Sequence, residues 1–243
     1  MASSAALLEG YLSPLLTGNR VACRDYVRRL LEQQPDAMRI YFDLLWPAME
    51  RVDKLYRQDK INTAVESMAT RINRAIADQL QVHLPRCAWK GKKILIACAP
   101  GEPEELGAQM CADMFEARGW EVYFVGGGIP NDEICGLVGQ LRPDLLLIFG
   151  TQPSGVPSIR HLIEMIHGIG LHPTMNIMVS GGVFNRADGL WKEVNADVFA
   201  RSAEQVLPLA EEAPPRSAEP PKSGAPKKRR RRRSQVPAGA AAE

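Results

Sequence analysis

The chain has 243 residues, enough for one or two domains with a sizeable core, and its 30 Lys and Arg against 28 Asp and Glu leave a formal charge of +2. That near balance hides an asymmetry, because residues 214–243 carry nine basic and two acidic side chains, leaving 21 basic against 26 acidic before them. The cysteines (Cys23, Cys87, Cys98, Cys111, Cys135) show no C-x-x-C spacing and indicate neither a disulfide framework nor a Cys-rich zinc site, and no run approaches the ~18 consecutive apolar residues that span a bilayer.

Residues 1–8 lack a basic start and hold too short an apolar run for a signal peptide, so a cytoplasmic location is expected. From Ser4 to about Gln81 the pattern is helical. Apolar residues recur at Leu7, Leu8, Tyr11 and Leu12, then at Tyr26, Val27, Leu30 and Leu31, then at Ile40, Tyr41, Leu44 and Leu45. Pro47 is tolerated there only as a kink or in the first turn of another helix. Asn62 is placed to cap a last helix carrying Val65, Met68, Ala69, Ile72, Ile76 and Leu80. With short connections, four or five such helices pack as an antiparallel bundle over residues 1–82.

Residues 83–91, with Pro85 and Gly91, have no sustained period and read as a linker. Beyond it strands and helices alternate. Strands are expected at 93–98, 120–125, 144–149, 175–180 and 197–200, and helices at 105–118, 131–141, 156–168, 187–193 and 202–210. The continuous apolar run Ile94, Leu95, Ile96, Ala97, Cys98 fits a strand covered on both faces. Five β/α repeats predict a doubly wound, parallel, five-stranded flavodoxin-like sheet over residues 92–213. Gly119, Gly168 and Gly170 sit where helices should end. Residues 214–243 are too poor in apolar side chains to offset their ordering entropy and are expected to be disordered. They contain seven consecutive cations from Lys227 to Arg233, a charge run suited to nonspecific contact with nucleic acid or an acidic partner.

Four loops fall in phase at the carboxyl ends of the strands, where ligands bind in open α/β sheets. The first, Gly101 to Gly107, holds Glu102, Glu104 and Glu105 at a helix start, where the dipole favours negative charge. The second holds Gly126, Gly127, Gly128 and Ile129, with Asn131 or Asp132 as the next cap; its glycines permit close approach of a flat ligand. The third holds Phe149, Gly150, Thr151 and Gln152, and the fourth Ser180, Gly181 and Gly182. His83, His161, His167 and His172 show no shared face and read as structural or surface residues.

Over residues 5–212 the chain resembles the two-part corrinoid module of methionine synthase, of methanol and methylamine corrinoid carriers, and of cobalamin-dependent light-sensing repressors. The stretch FVGGGIPNDEI at 124–134, VSGG at 179–182 and LLWPAMERVDKLYRQDKINTAVESMATRI in the bundle carry the likeness. The resemblance implies a helical cap over a cobalamin domain. It also implies that the family's lower-ligand His is replaced here by Glu104, the remaining candidate for a metal contact, and that carboxylate is a less apt donor than imidazole. The upper-face Trp and Glu-His pair of some members become Tyr56 and Glu66-Ser67, and Phe149 falls where the family faces the buried nucleotide tail, unless Thr151 takes that place.

The expected function is a non-enzymatic sensor or regulatory adaptor holding cobalamin, or another tetrapyrrole such as haem or a bilin, between bundle and βα loops without His ligation. It would act through a protein partner or a second copy. The alternatives are a corrinoid methyl carrier in a methyltransferase system, and a scaffold that retained the fold without the ligand.

Overall fold

The structure is a computed structural model in which residues 4–102 and 105–217 are described. Glu104 and the cationic run from Lys227 to Arg233 therefore lie outside the described residues. The N-terminal part forms α1 (Ser4–Leu16), α2 (Arg20–Gln33), a composite third helix, and α5 (Thr63–Gln81). The composite helix runs as α3 (Ala37–Ile40), a π turn (Tyr41–Leu45) and α4 (Trp46–Arg57). Pro47 explains the π turn: it offers no N–H to the carbonyl four residues back, and the ladder widens just before it rather than breaking. Asp36 and Asn62 cap as side-chain acceptors, from Arg39 N at 3.1 Å and Val65 N at 3.0 Å. Tyr11 of α1 donates to buried Asn73 of α5 at 2.7 Å, a polar tie inside an otherwise apolar core.

The sheet comprises β1 (Lys93–Cys98), β2 (Glu121–Gly126), β3 (Leu145–Phe149), β4 (Asn176–Ser180) and β5 (Val198–Ala200), all parallel in the order 2-1-3-4-5. Between them run α6 (Leu106–Ala117), α7 (Asn131–Leu141), α8 (Val156–Ile169), α9 (Gly182–Arg186) and α10 (Leu190–Glu193), with α11 (Ala203–Glu212) last. Alternate strand residues divide the core. Ile94, Ile96, Leu145, Leu147 and Met178 pack with α6, α11 and the N-terminal helices, while Leu95, Leu146, Ile148, Ile177 and Val179 pack with α7 and α8. The bundle thus continues the core of one sheet face. Register aligns Cys98, Phe149, Ser180 and Ala200 as the last row at the carboxyl edge.

Three local expectations are corrected. The helix expected at 187–193 is two short ones, because a helix starts directly on Gly182 and Gly189, at φ 79°, breaks the chain before Leu190. Neither Asn131 nor Asp132 caps α7: Pro130 is its N-cap, and the Asn131 amide donates to the Ser158 carbonyl at 3.0 Å, tying α7 to α8. Gly168 lies within α8, which ends on left-handed Gly170.

Candidate functional site

A cavity of about 720 Å³ opens at the carboxyl edge of the sheet beneath α4 and α5. It is the kind of place the topology favours, since the order in which strands are added across the sheet reverses between β1 and β3 and the loops there diverge. Trp46, Met49, Val52 and Tyr56 of α4 form one wall, and Thr63, Glu66, Ser67 and Thr70 of α5 another. The sheet side contributes Gly107, Phe149, Thr151, Gln152, Gly181 and Gly182. Of the residues singled out from sequence, Tyr56, Glu66, Ser67, Gly107, Phe149, Thr151, Gln152, Gly181 and Gly182 therefore share one space.

Phe149 makes the floor. It is buried, meets Trp46 edge-on with ring centroids 6.4 Å apart, and lies so close over Gly107 that an added Cβ would stand 2.4 Å from its ring tip. A glycine at 107 is thus the condition for a Phe at 149. Gly181, at φ 106°, has a similar role against the backbone, because a Cβ there would fall 2.2 Å from the Gly150 carbonyl oxygen. Gly150 donates its N–H to Ser180 O at 3.0 Å, and the Ser180 hydroxyl donates to Ala200 O at 2.9 Å, so these two hold the rim together from below the cavity wall.

The acidic first loop is bound internally. Glu102 is buried, and its carboxylate accepts from the Thr151 backbone N–H at 2.5 Å and from the Thr151 hydroxyl, which joins the loops after β1 and β3. Glu105 accepts from Gly127 N at 2.7 Å and stands 4.0 Å from Arg74 of α5. A Cβ on Gly126 or Gly127 would lie 3.1 or 3.0 Å from the Glu105 carboxylate, so these glycines make room for this chain's own side chain. Gly126, Gly127, Gly128 and Ile129 lie off the cavity wall.

Sequence reasoning placed Glu105 only as a helix-start charge and missed the basic residues. Arg71 and Arg74 from α5, Arg57 from α4, Arg186 from α9 and Arg201 after β5 all reach the cavity. A signal was present: Thr63, Glu66, Thr70 and Arg74 recur at helical spacing, marking a polar stripe on the face of α5 turned toward the sheet. Arg57 forms a bidentate contact with Asp53, Nε to Oδ1 at 3.1 Å and Nη2 to Oδ2 at 2.7 Å, and Arg186 stands 3.9 Å from Asp53 while donating to the Thr151 carbonyl. Burial, and then the neighbouring Arg57, push the Arg186 guanidinium below its ordinary value, and Asp53 opposes the shift. Beneath the floor, burial and the Glu105 and Glu102 carboxylates push the Cys98 thiol up, which keeps it a packed thiol and not a nucleophile.

The cavity fits a flat macrocycle: apolar walls, small residues on the rim, and a volume within the ~300–1,000 Å³ of ligand sites. A metal would depend on the macrocycle for its donors, because no histidine lines the cavity and the described residues contain no group of three or more His, Cys, Asp and Glu able to hold an ion.

Two family profiles, each described as a B12 binding domain, match residues 7–81 and 92–210. Dimethylamine corrinoid protein 1 of Methanosarcina acetivorans is 22% identical over 204 residues, 81% of this chain and 94% of that protein. Dimethylamine corrinoid protein 2 of Methanosarcina mazei is also 22% identical over 204 residues, with the same coverage of 81% and 94%. The solved structure of the Methanosarcina barkeri monomethylamine corrinoid protein shares the fold, with a TM-score of 0.77 at 15% identity over 85% of this chain and 97% of that one. With one profile on the helical part, the other on the sheet, and the cavity between them, this chain belongs to the B12-binding domain family.

Proposed function

We propose that the chain carries a corrinoid in the cavity beneath α4 and α5 and serves as a methyl carrier between partner proteins. The observation that carries this reading is the open cavity at the sheet's carboxyl edge, walled jointly by the two matched segments. A bound corrinoid supplies a cobalt that takes up and gives away a methyl group. The chain's own part is to hold the ring and exclude water: Trp46, Met49 and Val52 cover it from the bundle, and Phe149 closes the floor. Glu102 and Glu105 keep the sheet-side loops in place through Thr151 and Gly127. The relatives named above are corrinoid proteins, which favours a corrinoid over haem or a bilin and puts the carrier ahead of the sensor or adaptor expected from sequence. The carrier reading also specifies the partner, a protein that donates or accepts the methyl group.

The test is reconstitution with hydroxocobalamin, followed by absorption and thermal denaturation. Retention of the chromophore through gel filtration and a raised Tm are expected, as is uptake of a methyl group from a methyl donor by the reduced, reconstituted protein. A colourless protein with an unshifted Tm would sink the reading.

A further inference from the structure

The cavity is uneven in charge. Its walls are apolar at Trp46, Met49, Val52 and Phe149, whereas Arg57 and Arg186 flank the Asp53 carboxylate and Arg201 lines the same cavity from the loop after β5. Asp53 is already shared between Arg57 and Arg186, and among the described residues the Arg201 side chain makes no ion pair. Three guanidinium groups line this cavity with Asp53 shared by two of them, and even with the Glu102 carboxylate acting on Arg186 they keep donors that suit phosphate oxygens. The floor is closed at the same time. Among the described residues, Phe149 sits on Gly107 and Glu102 fastens the loop after β1 to Thr151, which narrows the way down between the loops of β1 and β3.

Resting on the corrinoid reading, we infer that Arg57, Arg186 and Arg201 form a phosphate subsite that holds the phosphodiester of a corrinoid's nucleotide loop at the β4–β5 end of the cavity. A loop held there would stay on the cavity side of Phe149, and the cavity lining offers no histidine to displace its base. Arg186 is the central donor, because its other contacts, to the Thr151 carbonyl and Asp53, already fix its position between sheet and bundle.

The experiment titrates the full chain with cyanocobalamin and with aquacyanocobinamide, a corrin without the nucleotide loop, following absorbance and equilibrium dialysis. Arg201→Gln is the principal variant, since Arg201 is exposed and its loss removes no ion pair; Arg186→Gln is the second. Cyanocobalamin should bind about tenfold more tightly than the cobinamide, and each variant should remove most of that advantage while leaving cobinamide binding within about twofold. Bound cyanocobalamin should keep the spectrum of its free, base-coordinated form. Inorganic phosphate should compete with cyanocobalamin and not with the cobinamide, which separates a phosphate subsite from general ionic strength. Equal affinities, equal losses in the variants, or a spectrum showing the base displaced would overturn the subsite while leaving the corrinoid reading intact. Binding of neither corrin would overturn both.

Discussion

Phe149 and Gly107 show how one pair of side chains sets the depth of the cavity. The ring occupies the space that any side chain at 107 would need, so Gly107→Ala should destabilise the protein by about 1–3 kcal/mol through overpacking, read as a lowered denaturation midpoint. The second substitution Phe149→Leu should return part of that loss, and a double variant no better than the single one would show that the clash is not the cause. At this scale the sequence marked the right positions without their relations. Glu102, Gly107 and Thr151 were legible as loop residues at strand ends, yet that Glu102 binds Thr151, or that Glu105 fills the space left by Gly126 and Gly127, depends on loops brought together from distant parts of the chain.

Between elements, the contact of the π turn with α6 carries a buried acid. The Tyr41 hydroxyl lies 3.0 Å from Ala77 O and 2.9 Å from Asp113 Oδ2, but a phenol has one proton to give. Both contacts are satisfied when Asp113 is protonated and donates to Tyr41. Burial raises the Asp113 carboxyl from 3.8 to about 6, assisted by Glu116 on its own helix and Asp78 on α5, and the Tyr41 hydrogen bond only partly opposes this. A raised carboxyl means that the folded state holds the proton more firmly, so this residue's contribution to stability is complete below pH 3.8 and is lost as pH rises through about 6. Asp113→Asn, neutral throughout, should therefore gain on the parent protein by about 2–3 kcal/mol between roughly pH 4 and 7 in urea unfolding, and parallel pH curves would refute the assignment. The caps follow a simpler rule: Asn62→Ala should cost about 1 kcal/mol, measured in the same way, by leaving the Val65 N–H without its acceptor.

For the whole molecule, the joint wall makes ligand binding and stability one quantity. Hydroxocobalamin at about 100 times its Kd should add about 2.7 kcal/mol, raising Tm by roughly 5–10 °C for a chain of this size. Residues that face the cavity from both halves, such as Trp46 and Phe149, should make that shift disappear when either half loses its ligand contacts. The alternation of short apolar runs with amphipathic stretches was enough to specify five parallel strands, because a buried strand needs apolar residues on both faces whatever lies against it. Turn and cap chemistry marked most boundaries, and failed at Asn131 and Gly168, where a tertiary hydrogen bond and continued helix packing prevailed over local preference. The sequence by itself thus determined the element types, the parallel sheet and the edge at which the cavity opens, all of which follow from periodicity and chain direction. Only the tertiary structure decided that the slot is open, that Phe149 closes its floor, and that Arg57, Arg186 and Arg201 line one cavity, because these depend on distances between residues that local spacing along the chain does not encode.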